Sequence, residues 1–158
     1  MNSGNPLHPV DDVDGMNELD NTLRRVTEYD LSGRIIGLAM KVHSALGHGF
    51  LETVYRNAMA HELRKAGIRF EAEKAIQVRY DGVVLGDFFA DFLIDSVLAI
   101  ELKAVQILST VHEVQTVNCL KATGMETGLL LNFGADRLEF RKKRRTVPLK
   151  ADFPKQGS

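Results

Sequence analysis

The chain contains a single cysteine, Cys119. One thiol cannot form an intrachain disulfide and cannot build a cysteine-based zinc cluster. The five histidines do not follow the spacing of a metal site either. They are His8, His43, His48, His61 and His112. The sequence therefore excludes internal disulfides and gives no basis for a structural zinc site.

Long apolar runs and a basic-then-apolar leader are also missing from the sequence. A membrane-spanning helix needs about 20 consecutive apolar residues, and a secretory signal begins with basic residues that an apolar stretch follows. We therefore expect a cytoplasmic protein that has no membrane partner.

An excess of charge of one sign is absent from the chain as a whole. The formal net charge is −1, from 20 Lys and Arg against 21 Asp and Glu, so bulk electrostatics does not mark a nucleic-acid-binding protein. Five basic residues nonetheless form one uninterrupted run: Arg141, Lys142, Lys143, Arg144 and Arg145. Two interpretations of this run remain open, a patch that contacts nucleic-acid phosphates and a solvated strand end with a tail.

Length and composition indicate one globular domain. The chain has 158 residues, of which 44% are hydrophobic, and this is enough to bury a core in one domain of ordinary size. Residues 1–27 are polar and lack a sustained apolar period, so we expect a flexible leader there. The predicted domain covers residues 28–146, and residues 147–158 form a polar tail.

Apolar periodicity predicts three helices and five strands. The helices are expected at residues 31–46, within 49–67 and at 110–123, and the strands at 68–80, 83–94, 97–103, 127–133 and 138–143. Asp81-Gly82 predicts a tight hairpin turn. Thr110 and Glu113 form a capping-box pattern, and Gly124 is a stop signal. The predicted fold is α+β in the order αα-βββ-α-ββ, with an antiparallel three-strand meander and a parallel fourth strand in one mixed central sheet.

Three charged residues on the predicted strands interrupt the apolar β pattern in residues 90–104, which read ADFLIDSVLAIELKA with a turn at Asp95-Ser96. They are Asp91, Glu101 and Lys103, and their burial is costly unless they are paired or bind a metal. Side chains two apart on a strand share a face, so Glu101 and Lys103 point the same way. A tight turn between the two strands brings Asp91 next to them. We therefore expect the three charges to converge.

Two carboxylates beside an amine suit metal-assisted hydrolysis of phosphodiesters. Asp91 and Glu101 supply hard oxygen ligands for Mg²⁺, and a bound metal lowers the pKa of its water and neutralises charge on a phosphate. Lys103 can position that water and stabilise developing negative charge. The simpler alternative is an ion pair between Lys103 and one of the acids at a sheet edge, which is common and weak.

Two motifs and several shorter segments resemble one superfamily. The spacing of Asp91 to Glu101-Leu102-Lys103 resembles the motif of the PD-(D/E)XK nuclease superfamily, whose core is also helix, three-strand meander, helix, strand. The stretch GFLETVY at residues 49–55 matches the GxxExxY motif of a family of small proteins assigned to that superfamily. The similarity continues through LKAV, HEVQ, LKATG and LLLNFG. It implies a restriction-endonuclease-like core with an α/β/α-like arrangement.

The resemblance implies roles for the residues that match it. Asp91 and Glu101 would bind Mg²⁺ or Mn²⁺ together with the next backbone carbonyl, and Lys103 would be the catalytic lysine. Gln115 resembles a glutamine found early in the following helix of nucleases from recombination complexes. In those nucleases a tyrosine follows four residues later, whereas this chain has Cys119. The match therefore supports Gln115 more than the pair.

Glu52 and Tyr55 belong to the GxxExxY match on the second predicted helix. Glu52 matches the motif glutamate, and members of the superfamily often place such an acid beside the metal as a further ligand. The alternative for Glu52 is an exposed glutamate favoured by the helix dipole. Tyr55 lies on nearly the same helical face and would reach the site or a nucleotide base, unless it is a core tyrosine.

His112 and Glu113 invite a zinc or general-base interpretation that the sequence does not favour. Glu113 already fits a capping role, and His112 has no second His or Cys at ligand spacing. We therefore expect neither residue to act in the site.

The leading hypothesis from the sequence is a Mg²⁺-dependent nuclease that hydrolyses phosphodiester bonds in DNA or RNA. One alternative is a non-catalytic nucleic-acid-binding or protein-interaction module that keeps the nuclease fold. Another is an enzyme that uses the same acids on a small phosphate ester. Exposed edges of the third and last strands also suggest a homodimer.

Overall fold

The computed structural model describes residues 10–95 and 97–145. Its elements are α1 (Val10–Leu46), α2 (Glu52–Lys65), β1 (Glu71–Tyr80), β2 (Val83–Ile94), β3 (Leu98–Lys103), α3 (Thr110–Thr123), β4 (Thr127–Asn132) and β5 (Glu139–Arg144). The α+β class and the order αα-βββ-α-ββ are as predicted. Residues 1–9 of the expected leader and all of the expected tail lie outside the described residues. The division into leader, domain and tail stays a prediction.

Helix α1 begins at Val10, well before the start at residue 31 that apolar spacing predicts. Its N-terminal half carries exposed apolar side chains such as Leu19 and Leu23, whereas Ile35 and Ala39 are fully buried. Apolar periodicity marks the face of a helix that packs against a core, so it detected the packed part of α1 and missed the exposed part. Neither α1 nor any other described helix has the sustained apolar stretch that a membrane span needs.

The five strands form one mixed sheet in the order β1-β2-β3-β4-β5. β1, β2 and β3 form an antiparallel meander, β4 is parallel to β3, and β5 is antiparallel to β4. The predicted meander and parallel fourth strand are thus confirmed. The expected exposed edge on the third strand is wrong, because β3 is hydrogen-bonded on both sides. The edges of the described sheet are β1 and β5.

The β1–β2 hairpin turns where Asp81-Gly82 predicts. Asp81 has φ +51° and Gly82 has φ +74°, which are the left-handed values that a two-residue type I′ turn requires. Val78 pairs with Gly86, and the register shifts at the next pair. The irregularity in β2 therefore lies next to Gly86.

Helices cover both faces of the sheet. α1 and α2 pack on one face in a core that includes Phe92 and Ile100. α3 packs on the other face, where Cys119 belongs to the same buried cluster as Ala99. Adjacent residues of β3 therefore point to different layers, and the layered arrangement is α/β/α-like, as expected.

Helix α3 covers the predicted residues, but its N-cap lies one residue earlier than the capping-box pattern predicts. Gly124 closes it with φ +75°. Ser109, rather than the next residue, is the N-cap, and its backbone N–H donates a hydrogen bond to Nδ1 of His112 (3.1 Å). The predicted capping role of Glu113 is wrong, because its carboxylate is ion-paired with Lys143 of β5 (2.5 Å).

Candidate functional site

An open cavity of about 540 Å³ lies where β2 and β3 separate. The two strands are paired only along residues 92–94 and 98–100; beyond these pairs β2 follows β1, and β3 follows β4. The cavity brings together five residues of the predicted site: Glu52, Asp91, Glu101, Lys103 and Gln115. Residues with no predicted role in the site also line it: Arg56, Glu73, Phe88, Phe89, His112 and Thr116.

The Asp91 carboxylate is fixed by one hydrogen bond to each oxygen. Its Oδ2 accepts the backbone N–H of Leu102 (2.8 Å). The Asp91 side chain thus supplies a hydrogen bond to β3 at the point where the backbone pairing of β2 and β3 ends. Its Oδ1 accepts Nε–H of Arg56 (2.7 Å). The residue is only 7% exposed, and its position on the cavity wall follows directly from this split in the sheet.

Glu101 is buried beside Asp91 and is only 7% exposed. Its Oε1 has no hydrogen-bond partner among the described residues. Burial, and next the negative charge of Asp91, raise the pKa of Glu101 to about 8, while Cys119 and Lys103 act in the opposite direction. A carboxylate in this position requires either a proton or a nearby cation.

Residues 132–134 fix the backbone at Lys103 and just after it. The carbonyl of Lys103 accepts the N–H of Phe133 (2.8 Å). The side chain of Asn132 is hydrogen-bonded to both the N–H (3.0 Å) and the C=O (2.8 Å) of Val105. Gly134 lies so close that an added Cβ would be 2.4 Å from the nitrogen of Val105. The segments LKAV and LLLNFG therefore meet in space, and the second holds the first.

The loop before α2 sets the position of Glu52, the first residue of that helix. Gly49 adopts φ +110°, a value that residues with a Cβ rarely adopt. The Tyr55 hydroxyl donates to the carbonyl of Gly47 (2.6 Å) and accepts the N–H of Phe50 (3.2 Å). Within the GFLETVY stretch, Gly49 thus shapes the loop and Glu52 faces the cavity. Tyr55 connects the loop to the helix.

Tyr55 is a core residue. It is fully buried, and its ring stacks on that of Phe133 with centroids 4.8 Å apart. Both of its hydroxyl contacts are to the backbone of the preceding loop. The suggested contact between Tyr55 and a nucleotide base is therefore wrong, because none of the side chain reaches the cavity.

Glu52 faces the cavity rather than open solvent. Burial, and next the charge of Asp91, raise the pKa of Glu52, while Lys103, Arg56 and His112 lower it. These influences place the carboxylate among the other charged groups of the site. The structure therefore favours a site acid over an exposed glutamate that serves only the helix dipole.

Arg56 connects three of the acids that line the cavity. Its guanidinium contacts Asp91 (2.7 Å), Glu52 (3.2 Å) and Glu73 (3.2 Å). Burial alone would lower the pKa of Arg56, but the hydrogen bond and charges of these carboxylates outweigh it and raise the pKa. The four-residue spacing from Glu52 could have indicated a helical ion pair. No sequence pattern indicates that Arg56 also contacts acids on two different strands.

Helix α3 contributes Gln115, His112 and Cys119 to the site. Gln115 is exposed on the cavity wall. His112, which the sequence did not favour, also lines the cavity, and its positive form lowers the pKa of Glu52. Cys119 is fully buried; its burial, and next the charge of Glu101, raise the pKa of the thiol to about 12, so the thiol stays neutral.

The basic run is divided between the two faces of the sheet because it lies on a strand. Lys143 pairs with Glu113 of α3 (2.5 Å), whereas Lys142 lies 5.5 Å from the ring centroid of Tyr29 in α1. None of the five residues lines the cavity. The side chains of the run therefore do not share one surface, and their contact with nucleic acid stays a prediction.

The donor set of the cavity fits a hard divalent cation. Asp91 and Glu101 lie on adjacent strands, and Glu101 presents a buried oxygen with no donor among the described residues. Mg²⁺ binds through one or two carboxylates and keeps several waters. Within residues 10–95 and 97–145, no three acidic, histidine or cysteine side chains enclose a metal position as they stand. Arg56 contacts two of the acids, Asp91 and Glu52.

Comparisons with known proteins agree with this geometry. A family model of the PD-(D/E)XK nuclease superfamily matches residues 29–145. Among solved structures, the crystal structure of SSO0001 matches with a TM-score of 0.50 at 18% identity, over 61% of this chain and 50% of that one. The chain thus spans half the length of that relative, and the likeness confirms the restriction-endonuclease-like fold alone. A comparison with curated proteins finds no match.

Proposed function

This chain belongs to the PD-(D/E)XK nuclease superfamily, and from that premise we propose that it is a Mg²⁺-dependent or Mn²⁺-dependent nuclease that hydrolyses phosphodiester bonds in nucleic acid. The observation that carries the proposal is the convergence of Asp91, Glu101 and Lys103 on one cavity. The oxygen of Glu101 that has no donor among the described residues supports a cation there. A bare ion pair at a sheet edge explains this arrangement less well, because β3 is a central strand.

Asp91, Glu101 and Glu52 are the residues that would hold the metal. When bound, the ion lowers the pKa of a coordinated water and neutralises charge on a phosphate oxygen. Leu102 fixes Asp91 through its backbone N–H, so the carboxylate is held in place before any cation arrives. Such prior positioning lowers the cost of assembling the site.

Lys103 is the proposed catalytic lysine. Its side chain lies on the cavity wall, and its charge lowers the pKa of both Glu52 and Glu101. An ammonium in this place can orient the attacking water and stabilise negative charge that develops on the phosphate. Gln115, exposed on the same wall, is placed to hydrogen-bond that water or the phosphate.

We also propose that the chain belongs to the GxxExxY family within the superfamily. Support comes from the distinct structural roles of the three motif residues. Gly49 adopts a left-handed φ, Glu52 faces the cavity, and Tyr55 ties the loop to α2.

A second candidate function is a non-catalytic module that binds nucleic acid. One observation favours it: Arg56 already contacts Glu52, Glu73 and Asp91, so the charge of these acids is balanced in part without a metal. The two candidates differ in their metal dependence. A module of this kind would bind nucleic acid equally well with and without divalent ions, and its affinity would fall steeply with salt.

A cleavage assay tests the proposed activity. The purified protein is incubated with end-labelled single-stranded and duplex DNA and RNA in Mg²⁺, in Mn²⁺ and in EDTA. We expect metal-dependent cleavage that falls by about 10² or more in Asp91→Asn and in Lys103→Met. Lys121→Met, which removes an exposed lysine from α3 away from the cavity, is the matched control and should cleave as the wild type does.

Two results separate the candidates. Cleavage that survives in both Asp91→Asn and Lys103→Met would assign the activity to a contaminant or to another site. No cleavage by the wild type, together with binding that is insensitive to EDTA and strongly sensitive to salt, would favour the non-catalytic module.

A further inference from the structure

We propose that Arg56 is the internal cation of the metal-free site and that a divalent ion displaces it from Asp91. This inference rests on the proposed function, because it concerns the same carboxylates. It adds a residue outside both sequence motifs and assigns that residue a role in metal affinity.

The first support is the number of contacts that one guanidinium makes. Nε bonds Asp91 at 2.7 Å, one terminal nitrogen contacts Glu52 at 3.2 Å, and the other contacts Glu73 at 3.2 Å. The three acids come from α2, β1 and β2. Only an arginine side chain offers donors in a planar fork that can meet three carboxylates at once.

The second support is the charge of the cavity. Four carboxylates line it, from Glu52, Glu73, Asp91 and Glu101. The Arg56 side chain is only 19% exposed, and like charges in a partly buried site repel more strongly than they do in water. Arg56 therefore stabilises the metal-free cluster in the way that a bound cation would.

The third support is the difference between the two oxygens of Asp91. Oδ2 is held by the backbone N–H of Leu102, and releasing it would disturb β3. Oδ1 is held by the Arg56 side chain, which can rotate away. The exchangeable oxygen is thus Oδ1, the atom that the guanidinium occupies.

A metal and the guanidinium compete for this oxygen. Mg²⁺ binds carboxylate oxygens at about 2.1 Å, and the Nε of Arg56 lies 2.7 Å from Oδ1. A divalent cation on Oδ1 would repel the guanidinium, so metal binding would weaken the Arg56–Asp91 bond. Glu73 has no predicted role as a ligand, and it can keep Arg56 at the cavity wall.

Titration calorimetry with MnCl₂ tests the competition directly. The wild type, Arg56→Gln and the matched control Lys65→Gln are titrated at low ionic strength and one pH. Lys65 lies on the same helix but contacts Glu62 instead of the cavity. We expect Arg56→Gln to lower the dissociation constant for Mn²⁺ by about tenfold or more, because the competing cation is gone. Lys65→Gln should change it less than about twofold.

A thermal melt of the same variants gives a second readout. In EDTA, Arg56→Gln should melt below the wild type, since Glu52, Glu73 and Asp91 have lost the cation that contacts them, and saturating Mn²⁺ should remove most of this difference. Should Arg56→Gln fail to fold without metal, Arg56→Lys serves instead. A lysine keeps the charge but lacks the planar fork that sets the three contacts of Arg56, so the Mn²⁺ affinity of Arg56→Lys should be higher than that of the wild type.

The outcomes distinguish this inference from the proposed function. Unchanged or weaker Mn²⁺ binding in Arg56→Gln and Arg56→Lys, with normal binding by the wild type, would overturn the role of Arg56 alone. A wild type that binds no Mn²⁺ at this site would overturn both proposals.

Discussion

Glu101 is the residue whose environment departs most clearly from that of a surface carboxylate. Burial and the neighbouring Asp91 raise its pKa from 4.5 to about 8. A proton or a cation therefore binds there more favourably than it would on an exposed glutamate. The cost of an ionised Glu101 in the metal-free fold is the reason why we expect this position to favour a cation.

This environment predicts how the stability of the metal-free protein depends on pH. Because the folded pKa of Glu101 lies above its unfolded value, its contribution to stability is fully present below pH 4.5 and is lost as the pH rises through about 8. In EDTA, the free energy of unfolding should fall by a few kcal/mol across this window. Glu101→Gln, which carries no charge, should lack this loss. Urea unfolding at several pH values measures both curves.

The control for this prediction is Glu126→Gln, which removes an exposed glutamate. Its curve should follow that of the wild type. Parallel curves for the wild type and Glu101→Gln would mean that Glu101 is not held in the costly environment described above.

Individual site residues could be predicted from the sequence where strand geometry decides them. Side chains alternate along a strand, so Glu101 and Lys103 had to share a face, and the short turn had to bring Asp91 close. Arg56 could not be predicted in the same way. Its position depends on how α2 crosses the sheet, and its strand partners lie 17 and 35 positions away in the chain.

At the scale of elements, the site depends on two clamps, by which we mean two segments whose backbone is held by tertiary contacts. The loop before α2 is tied down by the Tyr55 hydroxyl, and the segment after Lys103 is held by Asn132 and Gly134. Both clamps consist of backbone contacts that allow little movement. The residues of these segments other than the acids and Lys103 therefore serve mainly to position the acids and the lysine.

Gly134→Ala tests the second clamp. The new Cβ would lie 2.4 to 2.5 Å from backbone atoms of Ala104 and Val105, so the backbone must shift. We expect a loss of about 1 to 3 kcal/mol in the free energy of unfolding, together with reduced cleavage because Lys103 moves. Urea unfolding followed by circular dichroism measures the stability.

Gly37→Ala is the matched control for this change. Nothing lies within 4 Å of its new Cβ, and alanine in a helix interior is favoured by about 0.5 to 1 kcal/mol. The control should therefore be neutral or stabilising. Equal effects of Gly37→Ala and Gly134→Ala would contradict the close contact at Val105.

Element boundaries were predictable where turn chemistry or capping marks them. β2 runs over the expected residues, and α3 ends at the expected glycine. The start of α1 was not predictable, because apolar side chains that the structure describes near it, Leu19 and Leu23, are exposed and do not mark a face packed on the core. The basic run suggested one surface, but strand alternation turns its side chains to both faces.

For the whole molecule, the charge distribution limits how it can hold nucleic acid. The net charge is −1, and the basic residues of β5 face two different layers. Repulsion between like charges also disfavours pairing two copies through the β5 edge. A dimer, if one forms through a sheet edge, should therefore use β1.

The same distribution predicts shallow salt dependence and strong metal dependence of nucleic-acid binding. In Ca²⁺, the slope of log K against log salt should correspond to only about two or three phosphates. In EDTA, binding should weaken strongly, because the acids of the cavity then repel the phosphate. Fluorescence anisotropy with a labelled oligonucleotide measures both. A steep slope that does not change in EDTA would contradict this expectation.

Asp91 and Glu101 are proposed to hold a divalent cation at the split between β2 and β3. Anomalous diffraction from crystals grown with Mn²⁺ tests it most directly. We predict an anomalous peak within coordination distance of both carboxylates, with the Arg56 guanidinium turned away from Asp91. A fully occupied Mn²⁺ site elsewhere on the protein, with no peak between these two residues, would contradict the account.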